Sequence, residues 1–151
     1  MLPYVRLRVN GFRALEEELV TFLHRTYGTV VELFYAHGLR QGPHTLQSTG
    51  FDVHQDTEDF DFIEYTVVVK LTADEPGEAP SQMRVVGAGR YFDYGPAAGD
   101  AGSFRARVHH ASVAPCSPRE HLKIAFFFKV RGRVHAFTGH QRACDAHTCT
   151  R

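Results

Sequence analysis

The chain has 151 residues, 43% of them hydrophobic, which is enough for one domain with a sizeable core. Its 17 Lys and Arg balance its 17 Asp and Glu, so broad electrostatic attraction to nucleic acid has no support. No apolar run approaches the roughly 20 residues that span a bilayer, and the N-terminus lacks the apolar core of a signal peptide, so a cytoplasmic or nuclear location is expected.

The first element is a helix over about 13–27. Leu15, Leu19, Phe22 and Leu23 recur at three- and four-residue steps, and Gly28 marks the break. The Val- and Phe-rich stretch after Gly28 reads as either strand or helix. After Gly38 the pattern changes to short strands rich in β-branched and aromatic residues, at 66–72, 83–89, 102–113, 121–130 and 133–139. Turn chemistry separates them. Within it, "ADEPGEAPSQ" (73–82) reads as a solvated hairpin loop. Such spacing fits a sandwich or an open barrel with one helix laid over a sheet.

Three cysteines, Cys116, Cys144 and Cys149, are too few and too odd in number for a disulfide framework. The tail "CDAHTC" groups Cys144, His147 and Cys149, but four zinc ligands are not evident, and 141–151 reads as a flexible tail after a domain of 1–140.

The chemistry centres on "VHQDTEDFDFIEYTVVVKLT" (53–72), where His54 and Asp56 are two residues apart just before a strand. In extended chain such residues point the same way. His109 and His110 lie on a later strand. Two imidazoles and one carboxylate on one side of a metal match the facial set of non-haem Fe(II) oxygenases. Since adjacent strand residues face opposite sides, only one of His109 and His110 can serve; His110 is preferred and His109 is its rival. Arg119 follows nine residues after His110, where a guanidinium could pair with a carboxylate.

This order, His-x-Asp, a distal His, then Arg leading the aromatic strand "REHLKIAFFF", resembles the 2-oxoglutarate/Fe(II)-dependent dioxygenases, in particular their prolyl-hydroxylase-like branch. "PAAGDAGSF" (96–104) is similar to the Pro-x-x-Gly turn that leads into the strand before the distal His, and "HASVAP" to that His with its nearby proline. The resemblance covers about 50–130. It implies a mainly β fold, a double-stranded β-helix (jelly-roll) barrel with the N-terminal helix packed on it. It implies iron held by His54, Asp56 and His110, with Arg119 binding the far carboxylate of 2-oxoglutarate. Lys70 resembles the polar strand residue that helps hold the co-substrate; Tyr65, of opposite parity, is its rival, and Lys123 competes with Arg119. Phe60 and Phe62 fall on the expected substrate rim.

The implied reaction consumes 2-oxoglutarate and O2, releases succinate and CO2, and hydroxylates a C–H bond. A prolyl-type protein side chain is the favoured substrate, with a nucleic-acid base or small metabolite as alternatives. Two other classes stay open. A non-catalytic jelly-roll binding module would not turn over 2-oxoglutarate. A cupin-like metalloprotein would use the same ligands without needing Arg119.

Overall fold

The computed structural model describes residues 10–41, 53–58, 60–78, 82–86, 89–113 and 119–132. The expected strand at 133–139, the tail and all three cysteines lie outside them.

Helix α1 (Asn10–Tyr27) begins three residues earlier than its apolar spacing indicates. Its last turn carries His24 and Arg25, where positive charge complements the exposed carbonyls. Gly28, at φ +68°, closes it: its N–H donates to the His24 carbonyl at 2.9 Å in a conformation only glycine adopts without strain. Phe12, Leu15, Leu19 and Leu23 form the buried stripe, while Phe22 falls off it and is 45% exposed.

The ambiguous stretch after Gly28 is strand β1 (Val31–Gln41). It is followed by β2 (Ile63–Lys70), β3 (Gln82–Val85), β4 (Arg90–Asp93), β5 (Ala101–Arg105), β6 (His110–Val113) and β7 (His121–Val130). They make two antiparallel sheets, ordered β1-β7-β2-β5 and β4-β3-β6, in a jelly-roll-like arrangement. β7 and β2 are central and covered on both faces, which explains their nearly unbroken apolar runs.

The two faces of the larger sheet do different things. Tyr65, Val67, Val69, Phe126 and Phe128 pack against α1. Val68, Ala125 and Phe127 face the other way, joining Met83, Tyr94 and Phe104 in a second core. The "FFF" run therefore divides by alternation: Phe127 lies between the sheets, and its neighbours lie under the helix.

The stretch 102–113, expected as one strand, is two. The Val108 N–H donates to the Arg105 carbonyl at 2.9 Å, closing a turn. β5 stays with β2, whereas β6 crosses to pair with β3. Arg105, Arg107 and Arg131 are exposed.

Candidate active site

The crossing at 106–109 brings His110 to His54. The two residues form an isolated antiparallel bridge, exchanging N–H···O bonds of 3.0 Å in both directions. The Asp56 N–H donates to the Ala106 carbonyl, also at 3.0 Å, and pins the segment two residues on. Backbone pairing thus sets the His-x-Asp segment against the start of β6.

His54 Nε2 lies 3.4 Å from Asp56 Oδ1, and His110 Nε2 lies 3.6 Å from the same oxygen. All three ligand atoms fall within 4.8 Å of one another. Two donors bound to a first-row metal at about 2.1 Å and at right angles are roughly 3 Å apart, so small rotations suffice to close on an ion. His110 Nδ1 lies 2.8 Å from the Val108 carbonyl, which can only accept; Nδ1 therefore carries the proton and Nε2 presents its lone pair to the site. Burial holds the His110 pKa below the ordinary imidazole value, against the opposing pull of that carbonyl and of Asp56, and so favours the neutral ring. The Thr66 hydroxyl donates to Asp56 Oδ2 at 2.5 Å and leaves Oδ1 facing both imidazoles. The donor set, two imidazole nitrogens and one carboxylate oxygen with outer partners in place for Asp56 and His110, fits Fe(II). His109 points outward, is exposed, and has Nδ1 3.3 Å from Gln55 Nε2.

These residues line a cavity of about 120 Å³ between the sheets, with His37, Thr66, Val68, Tyr94, Phe104, Ser112, Ala125 and Phe127 among its walls. Burial lowers the His37 pKa, which keeps that ring neutral too. Burial also raises the Tyr94 hydroxyl pKa well above the phenol range.

A second polar cluster lies further along the same sheet face. Lys70 on β2 and Lys123 on β7 are cross-strand partners, only 1% and 2% exposed. Alternation puts them in line with the cavity-lining Val68 and Ala125. Lys70 Nζ donates to the Gly95 carbonyl at 2.7 Å and lies 2.6 Å from Asp74 Oδ1. Lys123 Nζ has no hydrogen-bond partner among the described residues; it stands 4.8 Å from the centre of the Tyr94 ring. Burial, then the neighbouring Lys70 charge, pull its ammonium down to about 8. His121, which opens β7, is 1% exposed, between Asp74 and Glu78.

Arg119 is engaged elsewhere. Its Nε donates to Glu78 Oε1 at 2.9 Å and its Nη2 to Glu78 Oε2 at 2.6 Å, with a further bond from Nη2 to the Ala73 carbonyl. Neither Arg119 nor the two lysines are among the residues that line the cavity; the lysines differ in sharing the sheet face of Val68 and Ala125. The loop read as solvated is correspondingly anchored: the Asp74 and Glu78 side chains are 7% and 10% exposed. Tyr65 faces α1, stacked on Tyr27 at 4.5 Å, away from the cavity. Phe60 and Phe62 pack with Phe34 in an aromatic group and do not line the cavity.

Sequence reasoning missed Thr66, His37, Tyr94 and Asp74. Thr66 was within reach: it has the parity of Lys70 on a regular strand and follows the His-x-Asp pair by ten residues.

No protein-family model and no curated protein matches the chain. Solved structures do. A prolyl-4-hydroxylase of Pseudomonas putida superposes with a TM-score of 0.57 at 22% identity, over 80% of this chain and 65% of that one. An oxidoreductase of the 2OG-Fe(II) oxygenase family from Burkholderia pseudomallei gives 0.56 at 16% identity, over 73% of this chain and 50% of that one. A structure reported for prolyl 4-hydroxylases of Phytophthora capsici gives 0.55 at 14% identity, over 80% and 42%. The chain thus spans about two thirds or less of the length of these proteins, and it has the fold that 2OG-Fe(II) oxygenases and prolyl 4-hydroxylases share.

Proposed function

We propose that the chain is a 2-oxoglutarate- and Fe(II)-dependent oxygenase whose two sheets form the double-stranded β-helix core. The observation that carries this is the convergence of His54, Asp56 and His110 on one cavity between the sheets.

His54 Nε2, Asp56 Oδ1 and His110 Nε2 hold the iron from one side. Bound there with 2-oxoglutarate and O2, it supplies the oxidation that yields succinate, CO2 and a hydroxylated C–H bond. Thr66 fixes the Asp56 carboxylate, and the Val108 carbonyl fixes the His110 tautomer. Val68, Phe104, Ala125 and Phe127 keep the cavity apolar and exclude water. The far carboxylate of the co-substrate pairs with Lys123, assisted by Lys70. Lys70 is four residues from Thr66, so their Cα atoms are about 13 Å apart along the strand, a span that a five-carbon acid and a lysine side chain together can bridge. Arg119, held by Glu78, is less well placed for this role.

A prolyl-type side chain of a protein or peptide is the substrate we favour, because two of the similar structures are prolyl hydroxylases. The zero net charge lends nothing to a nucleic-acid substrate. The test is succinate release from 2-oxoglutarate by the purified protein with Fe(II) and O2, in the absence of a second substrate. Slow release that His54→Ala and Asp56→Ala abolish is expected; release that survives both substitutions would remove the iron site from the account.

A further inference from the structure

We propose that the buried Lys70–Lys123 pair, which lies beyond the cavity wall behind Tyr94, is a carboxylate-binding site which the chain's own Asp74 occupies, so that an acid ligand binds by displacing Asp74. The proposal rests on the 2-oxo acid reading of the cavity and adds a competitor internal to the chain.

The charges around this pair are unequal. Arg119 is matched by Glu78 through two hydrogen bonds and approached by the exposed Glu75 at 3.6 Å, so the imbalance lies among the buried groups. Lys70 and Lys123, side by side and buried, face the single carboxylate of Asp74. That carboxylate is poorly satisfied: its side chain is 7% exposed, yet neither oxygen accepts a hydrogen bond from a described residue, and its 2.6 Å approach to Lys70 is an ion pair without hydrogen-bond alignment. A buried carboxylate held this way is costly, and therefore replaceable. Lys123 lacks a hydrogen-bond partner among the described residues. An incoming carboxylate can meet both lysines, which Asp74 does not.

A cation is the other ligand to weigh, since Asp74, Glu78 and His121 offer atoms within 4.8 Å of one another. Lys70 and Arg119 already hold those two carboxylates at 2.6 Å each, so a metal would have to displace two cationic side chains. An anion has to displace only Asp74.

Arg119 then has a role of its own. Through Glu78 and the Ala73 carbonyl it fastens the loop that presents Asp74, which makes it a positioning residue for the competitor and not a ligand contact. The two roles give opposite signs on mutation.

The experiment is calorimetric titration of the Mn(II)-loaded protein with 2-oxoglutarate, for the wild type, Asp74→Asn and Arg119→Ala. If Asp74 fills the site about nine-tenths of the time, Asp74→Asn tightens binding ~10-fold. Arg119→Ala should leave affinity unchanged or raise it. Wild-type binding that Asp74→Asn leaves unchanged or weakens would overturn the proposal and leave the 2-oxo acid reading standing. So would a large loss of affinity in Arg119→Ala. Absence of binding in wild type and Asp74→Asn alike would remove both. Hydrogen exchange on the wild type supplies a readout that needs no variant. The Asp74 and Glu78 amides donate to the Pro96 and Glu75 carbonyls, and saturating 2-oxoglutarate should lower their protection; unchanged or higher protection contradicts displacement.

Discussion

Replacing Lys123 by Met should make the protein more stable while weakening its grip on an acid. Lys123 is 2% exposed, makes no hydrogen bond to a described residue, and has its pKa lowered from 10.5 to about 8 by burial and by Lys70. At about 1.4 kcal/mol per tenfold change in proton affinity, keeping it charged in the fold costs roughly 3 kcal/mol at neutral pH. The sign follows from linkage. Between about pH 8 and 10.5 the unfolded chain holds this proton more tightly than the folded one, so the penalty is fully present below 8 and disappears as pH rises through that window. Met is of similar length and carries no charge, and exchanging a buried charge for an apolar group is often stabilising. Urea denaturation of both proteins at pH 7, 8, 9 and 10 reads the effect, and the difference between them cancels the titration of other groups. Lys123→Met should be about 2–3 kcal/mol more stable at pH 7, with the gap closing towards pH 10. A variant less stable at pH 7, or a gap that does not change with pH, would refute the reasoning that Lys123 is a buried, underpaired cation.

Further outcomes follow from single contacts. Thr66→Val deletes the hydrogen bond to Asp56 Oδ2 and should weaken metal binding ~10–100-fold with the fold intact, read by competition with a metal indicator. Gly95 sits at φ +88°, where a Cβ would lie 2.4 Å from Asp100 Oδ2. Gly95→Ala should therefore destabilise the protein by more than about 1 kcal/mol in a thermal melt and disturb the carbonyl that receives Lys70. Leu23, with 0% exposure, anchors the helix on the sheet; Leu23→Ala should cost about 2–5 kcal/mol in urea denaturation without changing the metal affinity of the folded fraction.

Much of the fold is visible in the residues because the physics is local. The three- and four-residue apolar spacing of α1, and the bounds of β7, follow from periodicity and turn chemistry. Strand alternation shows that only one of His109 and His110 can join His54 and Asp56; the spacing to Arg119 favours His110, and the backbone bridge from His54 to His110 fixes it. The division of 102–113 does not, because it depends on β5 and β6 pairing with different sheets, and both halves carry strand-forming residues. Asp74 was hidden for a similar reason: a carboxylate in a Pro- and Gly-rich loop reads as solvated until the partner that buries it, Lys70, is placed. Arg119 shows a limit of parity. It has the parity of Lys123 in sequence, but β7 begins at His121, so alternation does not extend back to Arg119, and its direction is set by Glu78.

The central claim is that His54, Asp56 and His110 hold an iron that a 2-oxo acid chelates. It is tested most directly by anaerobic titration of the protein with Fe(II) and 2-oxoglutarate, following the visible charge-transfer band that such a chelate gives. The wild type should give the band, His54→Ala should lose it and Lys123→Met should weaken it. Metal binding without the band would contradict the claim and point to a cupin-like metalloprotein, and failure to bind metal at all would point to a non-catalytic binding module.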